Sequence, residues 1–290
     1  MLWLIYALLT AVLVSFSTLM EKKVLFKEHA MEFSAVLALF NMILALPFFL
    51  FVDFSKITLR PLVYMFLASI MAAVAFLLII KAMRHMEVSS VSPLVIMGPG
   101  LTAVLAFIFL GESLSVFEIL GIGLLLFGAY ILETKDRKHL LEPFKIIKES
   151  KYIHFILISI LLYSITSLIS RVVLAHYNLT PETYIAIIHI FLAINFFIML
   201  AFFHDGIKGI KHGMKNAWLP ILIVSVFVIS YRFFQANAIK LARVGLVESV
   251  KKLSVLFTVI IGGEIFHEKN LMKKIIASLI MTAGVLLIVI

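Results

Sequence analysis

Residues Val244–Phe266 read VGLVESVKKLSVLFTVIIGGEIF. At 1.5 Å per residue this run is long enough, as a helix, to cross the roughly 30 Å hydrocarbon core of a bilayer. Yet it carries Glu248, Lys251 and Lys252. An ionised side chain in hydrocarbon costs from ~3 to above 10 kcal/mol. Three of them in one span must therefore face protein or water, and a helix of that kind is expected to handle a solute. Glu248 lies three residues from Lys251 and four from Lys252, so the three share a helix face. Val255, Thr258 and Gly262 extend the same stripe.

The rest of the chain supplies the same solvent for this helix. Of its 290 residues 63% are apolar, with a mean hydropathy of +1.15, against roughly 45–50% apolar for a soluble domain. The excess runs the whole length, which predicts an all-α, multi-pass protein of the cell membrane. Cysteine is absent, which excludes disulfides, thiol chemistry and Cys-ligated zinc. The net charge of +9 sits mostly between apolar runs, where it orients the chain in a membrane and does not point to nucleic acid. Met1-Leu2-Trp3-Leu4 has no basic leader before it and reads as the start of a spanning helix, not a cleaved signal. No glycine-rich phosphate loop occurs, which excludes ATP-driven pumping within the chain. No cofactor is expected, and no metal site.

Spans of about 20 apolar residues are expected at 2–20, 33–52, 61–82, 88–110, 114–133, 152–174, 182–203, 217–239, 244–266 and 272–290. A basic loop at 135–151 separates two sets of five, 1–134 and 152–290. The halves resemble each other. A shift of 156 pairs Ala82 with Ala238, Val88 with Val244, Val91 with Val247, Thr102 with Thr258, Glu112 with Glu268, Ile119 with Ile275 and Gly128 with Gly284. A shift of 149 pairs Leu13 with Leu162, Ser15 with Ser164, Leu19 with Leu168, Val24 with Val173, Leu25 with Leu174 and Lys22 with Arg171. An odd number of spans per half turns the second half over, giving inverted repeats with a site between them near the midplane. Connections after odd spans hold 17 lysines and arginines and those after even spans hold five. The positive-inside rule then places the first set in the cytoplasm and both termini outside.

The run from Pro99 through Leu110-Gly111-Glu112 to Gly128, within ten short spans in two repeats, resembles the drug/metabolite transporter superfamily, EamA type. The second half departs from the motif, with Phe266-His267-Glu268 at the helix end and Val255 opposite Pro99. The resemblance implies a secondary carrier of a small metabolite, often an exporter, with both termini in the cytoplasm. The charge asymmetry contradicts that last point and carries more weight.

Several other residues fit a solute site. In the eighth span Tyr231, Arg232, Gln235 and Asn237 are polar at membrane depth, and Arg232 needs a partner there. Glu248 is one candidate, as a bidentate pair; the solute is the other. Lys251 and Lys252 are candidate anion ligands, with Glu248 as counter-ion or proton-coupling group. In the fourth span Ser89, Ser90, Ser92 and Pro93 precede Met97-Gly98-Pro99-Gly100. Proline frees a carbonyl, so Pro93, Gly98, Pro99 and Gly100 are expected to form a hinge, with Gly262 and Gly263 as its counterpart in the ninth span. Glu112 and Glu268 are read as caps for the helices that follow them. His189 and Asn195, and Tyr163, Ser164, Thr166, Ser167 and Ser170, are read as interhelical packing.

The expected activity is alternating-access transport of a small polar solute, anionic or zwitterionic, by an exporter or exchanger, with protons as a coupling ion. The rivals are an intramembrane enzyme acting on lipid head groups, a channel, and a scaffold or sensor that moves nothing. Asp occurs only at Asp53, Asp136 and Asp205, all in connections, which is a poor basis for the enzyme.

Overall fold

A computed structural model describes residues 2–54, 57–95, 97–111, 115–133, 150–203 and 207–289. Among these residues the regular structure is entirely helical, as a bilayer requires of a chain that must satisfy its own backbone hydrogen bonds. The helices are α1 (Leu2–Leu25), α2 (Ala30–Ala45, continued by a 3-10 helix Leu46–Phe51), α3 (Leu59–His85), α4 (Val88–Val95), α5 (Gly98–Leu110) and α6 (Val116–Glu133). They are followed by α7 (Lys151–Arg171, continued by a π-helix Val172–His176), α8 (Pro181–Phe203), α9 (Ile207–Leu241), α10 (Val244–Lys251), α11 (Ser254–Ile265) and α12 (Leu271–Val289). Most of the basic loop, 135–149, and Glu112 lie outside the described residues.

Six of these helices are long and apolar enough to cross a membrane: Leu2–Leu25, Ala30–Phe51, Leu59–His85, Lys151–His176, Pro181–Phe202 and Ala217–Leu241. The last is marked off from the start of α9 by non-helical backbone at Ala217 (φ −140°, ψ 20°), three residues before Pro220. Two expected spans are each two helices instead of one. The fourth breaks between α4 and α5, and the ninth between α10 and α11. The ninth does not bend at Gly262-Gly263, which lie within α11. A Cβ on Gly262 would come 2.9 Å from both Leu19 and Val88, so the glycine lets three helices meet.

Element order in 151–289 repeats that in 2–133: three long helices, a broken pair and a final helix. The packing crosses between the halves. Helix α1 packs on α9 while α3 packs on α7, α2 packs on both α8 and α9, and α6 packs along α12. The matched residues do matched work. Lys22 Nζ donates to the carbonyls of Met83 (2.5 Å) and Met86 (2.8 Å) at the C-terminal end of α3. Arg171 Nη1 donates to those of Ile239 (2.7 Å) and Lys240 (3.4 Å) at the end of α9. In both cases a cation meets carbonyls that have no helical partner, at the negative end of the helix dipole. Gly128 and Gly284 mark the α6–α12 crossing, where a Cβ on Gly284 would stand 2.7 Å from the Gly121 carbonyl oxygen.

Candidate functional site

The two broken pairs bring two tight i to i+3 turns close together. A Cβ on Gly98, at the start of α5, would lie 3.8 Å from Lys252 Cε, in the α10–α11 turn. The breaks are held by the same bond at the same repeat position: Met97 N–H donates to Leu94 O and Leu253 N–H to Val250 O, each at 3.1 Å. The first break fits the sequence, since proline is best accommodated in the first turn of a helix and Pro99 sits in the first turn of α5. The second has no proline. The side chains of Pro93 and Pro99 are outside the described residues, so the hinge expectation rests on the backbone of Gly98 and Gly100 in that half. In the other half the break has moved from Gly262-Gly263 to Lys252-Leu253.

A cavity of about 200 Å³ opens beside these breaks. Its charged lining is Glu21 from α1, Arg232 from α9, Glu248 and Lys251 from α10, and Lys252 from the turn. Glu248 is buried and fully engaged. Its Oε2 takes the Lys251 ammonium at 2.6 Å, and its Oε1 accepts from Gln235 Nε2 at 2.7 Å and Ser167 Oγ at 3.2 Å. The sequence expectation that Glu248 could pair with Arg232 is therefore replaced. The i,i+3 lysine lies on the carboxylate's own helix and reaches it without crossing the cavity.

Arg232 is left without a carboxylate within 4 Å among the described residues. Its guanidinium lies 5.7 Å from the Tyr231 ring centroid, a cation–π distance, and its buried Nε–H has no hydrogen-bond partner. Lys252 likewise has no carboxylate within 4 Å among the described residues. Glu21 faces the same cavity, buried, accepting a hydrogen bond from Ser17 at 2.8 Å. Beside these charges the cavity is lined by the hydroxyls of Tyr163, Ser164, Ser167, Ser170 and Tyr184, with Phe76 and Ile160 among its apolar walls.

Of the expected site residues, the structure brings Tyr231, Arg232, Gln235, Glu248, Lys251 and Lys252 together around one cavity. Asn237 is not among them. Its amide donates to the Phe233 carbonyl one turn back, at 2.9 Å, a local bond that leaves it on another face of α9. Tyr163, Ser164, Thr166, Ser167 and Ser170, expected as packing, line the cavity. His189 lines a smaller adjoining cavity of about 30 Å³ that also touches Arg232, and its ring Nδ1–H donates to the Ile185 carbonyl at 2.9 Å. Asn195 is an interhelical bond, donating to Ser69 Oγ at 2.8 Å.

Glu21 escaped the sequence reading because the first span was ended at residue 20. The helix continues to Leu25, so Glu21 and Lys22 belong to the span, and the signal was the same one that marked Glu248: a carboxylate inside a membrane helix.

At one end of the bundle a second cluster joins the halves. Lys274 of α12 pairs with Glu87, in the turn before α4, and with Glu268 at 3.6 Å. Glu268 Oε1 accepts the Val88 backbone N–H at 2.8 Å. Glu268 thus caps α4 in the other half, and the expectation that it caps the helix following it is corrected. The carboxylate reaches the positive end of a neighbouring dipole because the α3–α4 turn is packed against the α11–α12 turn.

The comparisons agree with this architecture. The EamA-like transporter family matches residues 1–134 and 150–290. A solved crystal structure superposes with a TM-score of 0.64 at 12% identity, covering 96% of this chain and 95% of the other; at that identity the likeness concerns fold alone. A search of curated proteins gave no match.

Proposed function

The chain belongs to the EamA-like transporter family, an integral membrane family of transporters, and from that premise we propose that it is a secondary carrier moving a small polar solute by alternating access. In this reading the six long helices, the two broken pairs and the final helices α6 and α12 make ten spans, in two inverted halves of five. The crossed packing supports the inversion, since exchanging the halves maps the α1–α9 contact onto α3–α7. The observation that carries the reading is the cavity of about 200 Å³ at the facing breaks, lined from both halves and bearing five charged side chains. Neither a packing core nor a scaffold needs such an interior, since every buried charge costs several kcal/mol unless paired.

The solute is anionic or zwitterionic in this reading. Arg232 and Lys252 are its ligands, Gln235 and Tyr231 shape the wall, and the Glu248–Lys251 pair is internal. The halves rock about the breaks at Gly98 and at Lys252-Leu253, where tight i to i+3 turns interrupt the α-helical ladder beside the cavity. Export or exchange is the expected direction of use, with protons as the coupling ion.

The test is uptake and counterflow in proteoliposomes holding the purified full chain, screened against amino acids, organic acids, sugar phosphates and nucleotides. Saturable flux that falls at least tenfold in Arg232→Gln supports the reading. Sustained ion currents in planar bilayers would establish a channel in its place.

A further inference from the structure

The cavity's charges do not cancel. Glu248 and Lys251 neutralise each other across 2.6 Å. That leaves Glu21 against two cations, Arg232 and Lys252, all lining the same cavity. With all five groups ionised, the formal surplus is one positive charge. The groups around it offer no relief among the described residues: α7 presents Tyr163 and serine hydroxyls, α8 presents Tyr184, and α3 and α4 present apolar side chains. His189, behind Arg232 in the adjoining cavity, donates to a backbone carbonyl and adds no negative charge. Glu21 is itself held by Ser17 and has no cation within 4 Å among the described residues.

We infer that the solute is a net anion, its negatively charged head held between Arg232 and Lys252, and that zwitterions and cations are excluded by charge balance. This rests on the carrier reading and deepens it. When the halves close over a bound solute, the low dielectric penalises any uncompensated charge. A zwitterion adds no net charge and leaves the surplus cation in place, even if its ammonium pairs with Glu21. A monoanion cancels the surplus. A dianion cancels it when one proton is taken up on Glu21. The solute and any proton entering with it therefore sum to one negative charge. The buried, unpartnered Nε–H of Arg232 points the same way. A planar guanidinium takes a carboxylate or phosphate by two parallel hydrogen bonds, and such a ligand supplies the acceptor this nitrogen lacks.

The experiment uses the detergent-purified full chain in thermal-shift titrations. The probes are a size-matched set, hydroxybutyrate, succinate, aminobutyrate and diaminobutane, together with inorganic phosphate and sulfate. The anions are expected to raise the melting temperature, and aminobutyrate and diaminobutane to leave it unchanged at equal concentration. Arg232→Gln and Lys252→Gln are each expected to weaken anion binding by roughly 30-fold or more, the effect of removing one partner of a buried charge pair. Lys252→Arg, which keeps the charge, is expected to lose less. Reading both positions keeps the result decisive if one variant does not fold.

Stabilisation by aminobutyrate or diaminobutane equal to that by the anions overturns the inference, as does the absence of a shift from every anion. The failures are separable. If zwitterions bind and the Arg232 variant abolishes it, the charge assignment falls and the carrier reading stands. If anions bind but none shows counterflow in proteoliposomes, the charge assignment stands and the carrier reading falls.

Discussion

Glu248 accepts from three elements at once: Lys251 on its own helix, Gln235 on α9 and Ser167 on α7. Such a carboxylate is a counter-ion built into the fold. Its removal leaves Lys251 half-buried and unpaired, which costs up to about 3 kcal/mol. Glu248→Gln is expected to lower the detergent melting temperature strongly, and Glu248→Gln combined with Lys251→Gln to recover more than half of the loss. Equal melting of the single and double variants would show that the pair does not carry the stability. At this scale the sequence was legible where a charge interrupted an apolar run, as at Arg232, Glu248, Lys251 and Lys252. It was not legible where the end of a span had to be judged. Ending the first helix at residue 20 put Glu21 in a loop, although one further turn returns it to the cavity. Nor could spacing choose between Lys251 and Arg232 as partner for Glu248, because a cross-helix distance is not a sequence property.

The two broken helices share a turn geometry without sharing a sequence. In the first half Pro99 follows the break, and the glycine-proline run announces it. In the second half Val255 stands opposite Pro99 and the break occurs regardless, at Lys252-Leu253, held by the same i to i+3 bond. The ninth span therefore reads as continuous in sequence, and its break falls ahead of the two glycines. The glycine pair Gly128 and Gly284 had the opposite fate, being visible in sequence with its cause hidden. The cause is the α6–α12 crossing. A Cβ on Gly284 would stand 2.7 Å from the Gly121 carbonyl oxygen and 3.1 Å from Leu125 N, backbone atoms that cannot swing aside. Gly284→Ala is expected to destabilise by about 1–3 kcal/mol, the usual cost of overpacking, read as a lower melting temperature; an unchanged one would mean the crossing yields freely.

The turn cluster of Glu87, Glu268 and Lys274 makes a further, pH-dependent prediction for this element. Burial pushes the Glu87 carboxyl up, but the hydrogen bond and charge of Lys274, with Lys269 adding a backbone hydrogen bond and charge, outweigh it and hold the group below the usual carboxylate range. A carboxyl depressed in the folded state stabilises fully above its unfolded pKa of about 4.3, and the stabilisation is lost as pH falls through the folded value. Glu87→Gln should therefore melt below wild type at neutral pH, by no more than about 1 kcal/mol for so exposed a pair. The gap should close as the pH is taken below about 4. A gap that persists at low pH would assign the effect to packing.

Taken whole, the molecule runs through the same element order twice, with different chemistry in each run. Lys22 and Arg171 cap equivalent helix ends, yet Phe76 stands at the repeat position of Arg232, and both line the cavity. The symmetric part is what fold-level reading could reach, because hydropathy and cap positions recur at two nearby shifts, 149 and 156. The site lies in the asymmetric part, where most of the cavity's charge comes from the second half and a single carboxylate, Glu21, from the first. Symmetry also fixes what an orientation experiment means. If the halves are inverted, every connection after an odd span lies on one side, so one labelled position on each side reports the whole topology. The absence of native cysteine makes single-cysteine labelling clean. Lys23, in the last turn of the first helix, and Arg60, at the start of the third, are both exposed and belong to the basic and the sparse set respectively. With 17 basic residues on one side and five on the other, a membrane-impermeant maleimide applied to intact cells is expected to label Arg60→Cys and spare Lys23→Cys. The reverse pattern would place both termini in the cytoplasm, as the resemblance to its family implied. It would then leave the basic connections facing outward, which only compensating acidic partners or a different insertion route could explain. Labelling of both positions would contradict the alternation itself, and with it the inverted pairing on which the alternating-access reading depends.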